Sequence, residues 1–379
     1  FAGKSLYNET DISGMGQGKK AGINKTEKID GGLQMIIKNG AVFGEDGLFQ
    51  VRDLYIENHK IVASREEVSD DTQLDAQGLY VIPGLIDIHS HGADGHDFSD
   101  GDVDGLRAIL KYEKEHGITS YCPTSVTLPK ERLKKIFATI LEVQDYKEGA
   151  KILGINMEGP FIDPKKKGAH EESYIHDPSI DFFRECNEAC DHRIKLVTMA
   201  PNQKNGMEFI EKLHEEVCIS MGHTSMGYDT AVEAIQKGAH HVTHLFNAMQ
   251  PFAHRDPGLV GAAFDDPECA VELISDGFHI HPSVIRSVFT LFGSDRVVLI
   301  SDSMMATGMA NGRYKLGDLD VTMKDRKATL QDGTLAGSAT NLFDCMRCAV
   351  SFGVPREQAI FAATRNPARS IGVYDRADL

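Results

Sequence analysis
From Leu85 to about residue 300 the chain repeats one pattern: a short apolar run, a polar loop, then an amphipathic stretch. The apolar runs fall at 85–88, 118–122, 152–157, 194–199, 217–221, 240–243, 270–275 and 297–301. Runs this short, bounded by turn residues, predict buried strands. The stretches between them have helical spacing. Across 129–144, Leu133, Ile136, Phe137, Ile140 and Leu141 share one face, and from Pro282 onward so do Ile285, Val288, Phe289 and Phe292. Eight strands alternating with helices, over a span near the ~250 residues typical of the fold, predict an α/β protein built on a (β/α)8 TIM-type barrel. The alternative is a doubly wound open sheet, which would gather its ligands at a switch point.

The segments outside this repeat read differently. Residues 35–43 and 53–63 are strand-like, with a turn at Gly44-Glu45-Asp46-Gly47 between them. They predict a small β-sandwich-like domain over 35–84, completed by the chain end at about 370–379. The barrel then spans 85–369. A β-hairpin insertion is expected near 312–334, with its arm at 321–330, and helices at 341–350 and 355–364 close the ring. Residues 1–34 are polar and lack the apolar core of a signal peptide. They read as a vector-derived or disordered leader, with Met35 as the natural start.

Composition narrows the function classes. The chain has 379 residues and a formal net charge of -16, which argues against general nucleic-acid binding. An anionic substrate would need a local positive site set against that field. No run approaches the ~20 apolar residues of a membrane span. The 7 cysteines are scattered and odd in number, which suggests a reducing cytoplasm rather than a disulfide framework. Cys345 and Cys348 have redox spacing but lie in a helix-like stretch, where core packing is the better reading.

Candidate chemistry sits where the apolar runs end. His89 and His91 are two residues apart in a strand, so both point to one side and can close on one ion. Later strand ends bring Glu158, His223, His244, Asp276 with His279, and Asp302. The C-terminal strand ends are where a barrel of this type builds its active site. One Glu with two His is a catalytic zinc set that leaves a position for water. Glu158, His223 and His244 meet that description, with His89 and His91 available for a second ion or as supports. A bound ion lowers the pKa of water to about 7 and so supplies a hydroxide nucleophile. Asp302 is the candidate base for its proton, a role compatible with ligation of the ion. His59, His116, His192, His214 and His254 lack such placement and read as surface or loop residues.

The motifs GLIDIHSHG, MEGPF, KKGAH, MGHTSM, THLFNAM, RDPGLVGAAF, ISDGFHIHP, ISDSMMATG and LAGS follow one another in this chain. In that order they resemble the N-acetylglucosamine-6-phosphate deacetylases of the amidohydrolase superfamily, from about Met35 to the end. The resemblance implies hydrolysis of the acetamide of N-acetylglucosamine 6-phosphate to glucosamine 6-phosphate and acetate. It implies Glu158, His223 and His244 as main metal ligands, for one or two divalent ions of zinc, iron, cobalt or manganese. Asp302 is then the base and later the acid, and His170, beside Ala169, contacts sugar and polarises the amide carbonyl. Asn247, Ala248, Arg255 and His279 are similar to the family's phosphate-binding set, with Asp276 beside His279. Leu335, Ala336 and Gly337 match a stretch that lines the substrate. The family's arginine reaches in from the neighbouring subunit, so a homodimer is implied, with Arg255 serving the other active site. The run Lys165–Lys167 reads as a solvated loop that positions Gly168 and His170. The competing readings are an amidohydrolase acting on cyclic amides or dipeptides, and a catalytically silent sugar-phosphate-binding protein on the same fold.

Overall fold
The structure, a computed structural model, describes residues 34–70 and 72–374. The leader expected over 1–34 lies, but for Gln34, outside the described residues. Two compact units follow one another in the chain, the first ending at Ile82 and the second beginning at Pro83.

In the first unit Met35–Phe43 is the organising strand. It pairs antiparallel with Phe49–Glu57 and in parallel with Gln73–Asp75 and Tyr80–Val81, while Lys60–Val62 pairs with the far side of Phe49–Glu57. The sandwich-like arrangement expected here is, among the described residues, a single hydrogen-bonded sheet. The single strand expected over 53–63 is a hairpin instead. Asn58 and His59 both take left-handed backbone, φ 51° and 63°, which is the geometry of a tight primed turn.

The second unit is the barrel. Leu85–Ser90, Ile118–Ser125, Ile155–Glu158, Ile194–Met199, Cys218–Met221, His241–Val242, Ala270–Ile274 and Val297–Ile300 lie side by side in chain order, all parallel. The two outer strands meet just beyond their ends. The Asp302 N–H donates to the His89 carbonyl at 2.9 Å, and the His91 N–H to the Ser303 carbonyl at 2.8 Å. That seam brings the edges into a ring and removes the open-sheet alternative. It also sets three candidate site residues beside one another through their backbones.

Helices run between successive strands, and their ends show why they start where they do. Asp102 accepts from the N–H groups of Asp104 and Gly105 at the head of Val103–Glu115, and Ser179 and Asn341 do the same for Ile180–Ala189 and Leu342–Ser351. The stretch 129–144 is an α-helix only over Lys130–Ala138, followed by a tighter turn at Thr139–Glu142.

Three further expectations need correction. The apolar run 152–157 breaks into Lys151–Ile152 and Ile155–Glu158, because the chain changes partners: the Leu153 N–H bonds to Tyr121 O and the Ile155 N–H to Arg193 O. Gly154 permits the crossing, since a Cβ there would lie 2.6 Å from the carbonyl oxygen of Arg193. The insertion has three antiparallel strands, Gly312–Leu316, Leu319–Lys324 and Lys327–Thr329, not two. The described part of 370–379 does not join the small unit. Ile371 and Val373 are buried in a core cluster with Ile86, Ile88, Val298 and Ile300 of the barrel, just after a helix at Arg365–Ser370.

Candidate metal centre and active site
Glu158, the last residue of the third barrel strand, is the hub of a buried cluster. Its Oε1 lies 3.2 Å from His223 Nε2 and 3.1 Å from His244 Nε2, and those two nitrogens are 3.0 Å apart. His89 Nε2 is 3.4 Å from the same oxygen. On the other oxygen, His91 Nε2 stands at 3.3 Å and His170 Nε2 at 3.4 Å. Asp302 Oδ1 completes the group, 3.2 Å from His91 Nε2 and 3.7 Å from His89 Nε2. Every one of these side chains is buried.

The backbone that presents them is unusual. His223, His244 and Asp302 have φ of 47°, 28° and 49°, a left-handed region that residues with a Cβ rarely occupy. Such positions cost on the order of 1–3 kcal/mol each and persist only where neighbours hold them. Here they do. The His223 carbonyl accepts from Asp163 N–H, the His244 carbonyl from Asn247 N–H, and the Asp302 carbonyl from Ser338 N–H.

Ring contacts fix the protons. His223 Nδ1 lies 2.9 Å from Lys166 O and His91 Nδ1 3.1 Å from Thr124 O, both pure acceptors, so each Nδ1 carries a proton when neutral. Their Nε2 atoms are then lone pairs directed at Glu158. His170 is the reverse: its Nδ1 accepts from the Thr127 N–H at 3.0 Å. Burial pushes its pKa down to about 4, so the ring is neutral, with its proton on Nε2.

Charge balance shows what the cluster wants. Burial alone would raise the pKa of Glu158, but the facing charge of His89 and hydrogen bonds from His170, His223 and His244 hold it well below the carboxylate range. Asp302 is depressed in the same way: burial opposes, while His91 and His89 prevail. Conversely His91, which burial would deprotonate, is raised to about 10 by Asp302 and Glu158. Buried carboxylates here call for positive charge, met either by protons on the histidines or by a divalent cation with the rings neutral. The Nε2 atoms of His223 and His244 converge on one carboxylate oxygen, and His89 Nε2 has no hydrogen-bond partner. The donor atoms of His89, His91 and Glu158, and of Glu158, His170 and His223, form groups within 4.8 Å. Nitrogen and carboxylate donors so arranged fit a divalent transition metal.

A cavity of about 370 Å³ opens onto this cluster. Of the residues expected to meet substrate, it is lined by Ala169, His170, Asn247, Ala248, His279, Leu335 and Gly337. Three expected residues stand apart. Asp276 lies behind His279, with Oδ2 2.8 Å from its Nδ1; burial would lower the pKa of His279, but Asp276 raises it. Ala336 is fully buried, and Arg255 is exposed, with Nη1 2.6 Å from His254 Nε2. The solvated-loop reading of Lys165–Lys167 is also revised. Lys165 and Lys166 line the cavity, and Lys166 Nζ donates to Met249 O at 3.0 Å. Leu316 and Thr334, from the inserted strands and the loop after them, line it as well. The residue most clearly overlooked is Glu272, bonded to His89 Nδ1 at 2.9 Å. Its signal was a lone carboxylate inside the apolar run Ala270–Ile274.

A barrel whose strand ends gather histidines and carboxylates around one cavity is the architecture of metal-dependent hydrolases. The chain belongs to the amidohydrolase family, whose profile matches residues 80–378. Within it the chain groups with the N-acetylglucosamine-6-phosphate deacetylases. It is 36% identical to the one from Bacillus subtilis (strain 168) over 347 residues, covering 90% of this chain and 86% of the relative. Its fold matches that of the enzyme from Mycobacterium smegmatis, solved as a mutant in complex with N-acetyl-D-glucosamine-6-phosphate, with a TM-score of 0.83 and 31% identity over 90% of this chain and 91% of that one. The Pasteurella multocida enzyme gives a TM-score of 0.84 at 29% identity, over 90% and 91% of the two chains. Among the described residues no helix is long and apolar enough to cross a membrane.

Proposed function
We propose that this chain hydrolyses the acetamide of N-acetylglucosamine 6-phosphate, releasing glucosamine 6-phosphate and acetate. The observation that carries this reading is a single cavity joining the Glu158 cluster to Lys165, Lys166 and His279. Those are cationic groups for a phosphate in a chain of net charge -16.

Glu158, His223 and His244 would hold one divalent ion, zinc, iron, cobalt or manganese, with His89, His91 and Asp302 as further donors. When bound, such an ion acidifies a water and polarises the amide carbonyl. The remaining work falls to the chain. Asp302, kept ionised by its histidines, takes the proton of the attacking water and hands it to the amide nitrogen as the C–N bond breaks. The acyl group leaves as acetic acid, whose carboxyl proton passes to the free amine, so that the products are acetate and the protonated amino sugar. His170 donates from Nε2 to the carbonyl oxygen as negative charge develops there. Asn247, Ala248 and His279 hold the distal phosphate, so that remote binding energy positions the amide.

Arg255 is exposed and does not line its own chain's cavity, which supports the reading that it serves the neighbouring active site of a homodimer. All the cysteines are free thiols, which supports a reducing location such as the cytoplasm.

The direct test is acetate release from N-acetylglucosamine 6-phosphate and from its unphosphorylated form. A large preference for the phosphosugar is expected, and equal rates would overturn the assignment in favour of another amide substrate. Two residues can be tested separately. Lys165→Met should raise KM for the phosphosugar about three- to tenfold, the size of one partly exposed charge contact, with kcat nearly unchanged; an unaltered KM would remove Lys165 from the site. Burial lowers the pKa of His279, but Asp276 raises it above the ordinary histidine value, so the ring loses its positive charge as pH rises through that raised value. Phosphosugar affinity should therefore fall as pH rises through the raised pKa of His279, and His279→Gln should flatten the profile. A profile of the same shape in the variant would show that another group titrates.

A further inference from the structure
Glu272 sits in the middle of the seventh barrel strand, Ala270–Ile274, and is fully buried. Its Oε2 lies 2.9 Å from His89 Nδ1 and accepts from the backbone N–H of His244 at 3.2 Å. Its Oε1 has no hydrogen-bond partner and lies 4.0 Å from His241 Nδ1. A carboxylate in the wall of a barrel is costly unless donors meet it. The donors here are the ring of one histidine and the backbone of another, and both histidines reach Glu158 through Nε2.

We infer that Glu272 is a positioning residue: it holds His89 with the proton on Nδ1, so that Nε2 is a lone pair available to a second ion bound with His91, Glu158 and Asp302. The distances fit this role. His89 Nε2 faces Glu158 Oε1 at 3.4 Å and Asp302 Oδ1 at 3.7 Å, and no hydrogen bond occupies it. A proton on Nε2 instead would set the Nδ1 lone pair against a carboxylate oxygen. The contact to the His244 N–H links the placement of this ring to the strand end that serves the first ion. A carboxylate behind a ligating histidine fixes its orientation and raises its basicity, and losing such a partner weakens metal binding about 10–100-fold. The inference rests on the metal-centre reading above. Its test follows ion binding without substrate, so its failure is separable from failure of the deacetylase assignment.

The experiment is titration of metal-stripped protein with cobalt(II), followed by visible absorption and by metal analysis of the bound fraction. Two equivalents are expected for the unaltered chain. Glu272→Gln keeps the shape of the side chain and should weaken the second equivalent about tenfold, leaving the first nearly unchanged. Glu272→Met should weaken it further. His89→Ala should abolish the second equivalent, and adding Glu272→Gln to it should change nothing more, because the carboxylate acts through that ring. A merely structural role would weaken the first equivalent in the double variant relative to His89→Ala, and that result would overturn the inference. So would a Glu272→Gln protein that titrates as the unaltered chain does, or an unaltered chain that binds a single equivalent. Should Glu272→Met fail to fold, the glutamine variant and its double mutant decide the matter. Two ions bound, with Glu272 dependence but no release of acetate from the phosphosugar, would sink the proposed function and support this inference.

Discussion

Asp302→Asn is expected to lower kcat by about 10²–10⁴-fold, the range of a lost general acid–base, while the protein keeps its fold and its metal. Asparagine has nearly the same shape and is among the residues that tolerate left-handed backbone, so the φ of 49° at this position is not a new obstacle. Its amide oxygen can still meet His91 Nε2, now 3.2 Å from Asp302 Oδ1. What it cannot do is take a proton from water and return it to the departing nitrogen. Kinetics with the phosphosugar, beside metal analysis of the same preparation, separate the two functions. A variant that works within tenfold of the unaltered chain would take the proton shuttle away from Asp302. A variant that has lost its metal would make Asp302 chiefly a ligand.

The other large effect is expected at Glu158. Glu158→Gln should cost more than the ~100-fold upper end seen for outer partners, leaving the purified protein nearly free of metal and without measurable turnover. The reason is its place at the hub: its two oxygens face His89, His91, His170, His223 and His244 at once. An amide there offers one weak acceptor and turns an N–H group toward lone pairs that converge on the site. Metal content after dialysis is the measurement. A full complement retained by this variant would exclude Glu158 from the ligand set.

Much of this was legible in the sequence, for reasons that differ by residue. The barrel strands show as apolar runs because they are buried on both faces, as Leu85–Ser90 is at every position. The strand-end histidines and acids stand out against such runs. The seam between the first and eighth strands left no mark, because it is made by backbone groups at His89, His91, Asp302 and Ser303. Glu272 was passed over because its partner lies 183 residues away in the chain. Lys165 and Lys166 read as solvated from their charge alone. Their loop is drawn to the cavity by two contacts with His223, one from its ring to Lys166 O and one from its carbonyl to Asp163 N–H. The chain end at about 370–379 was expected to complete the small β domain, yet Ile371 and Val373 follow a helix and fill the barrel core.

The left-handed backbone at His223, His244 and Asp302 bears on how this chain can change over generations. Glycine or asparagine would sit at 223 and 244 more easily than histidine, and glycine at 302 more easily than aspartate, so relaxed selection on chemistry would let all three positions change. The backbone strain relieved at each position would be on the order of 1 kcal/mol. Backbone ease and metal chemistry therefore ask for different residues at these three positions.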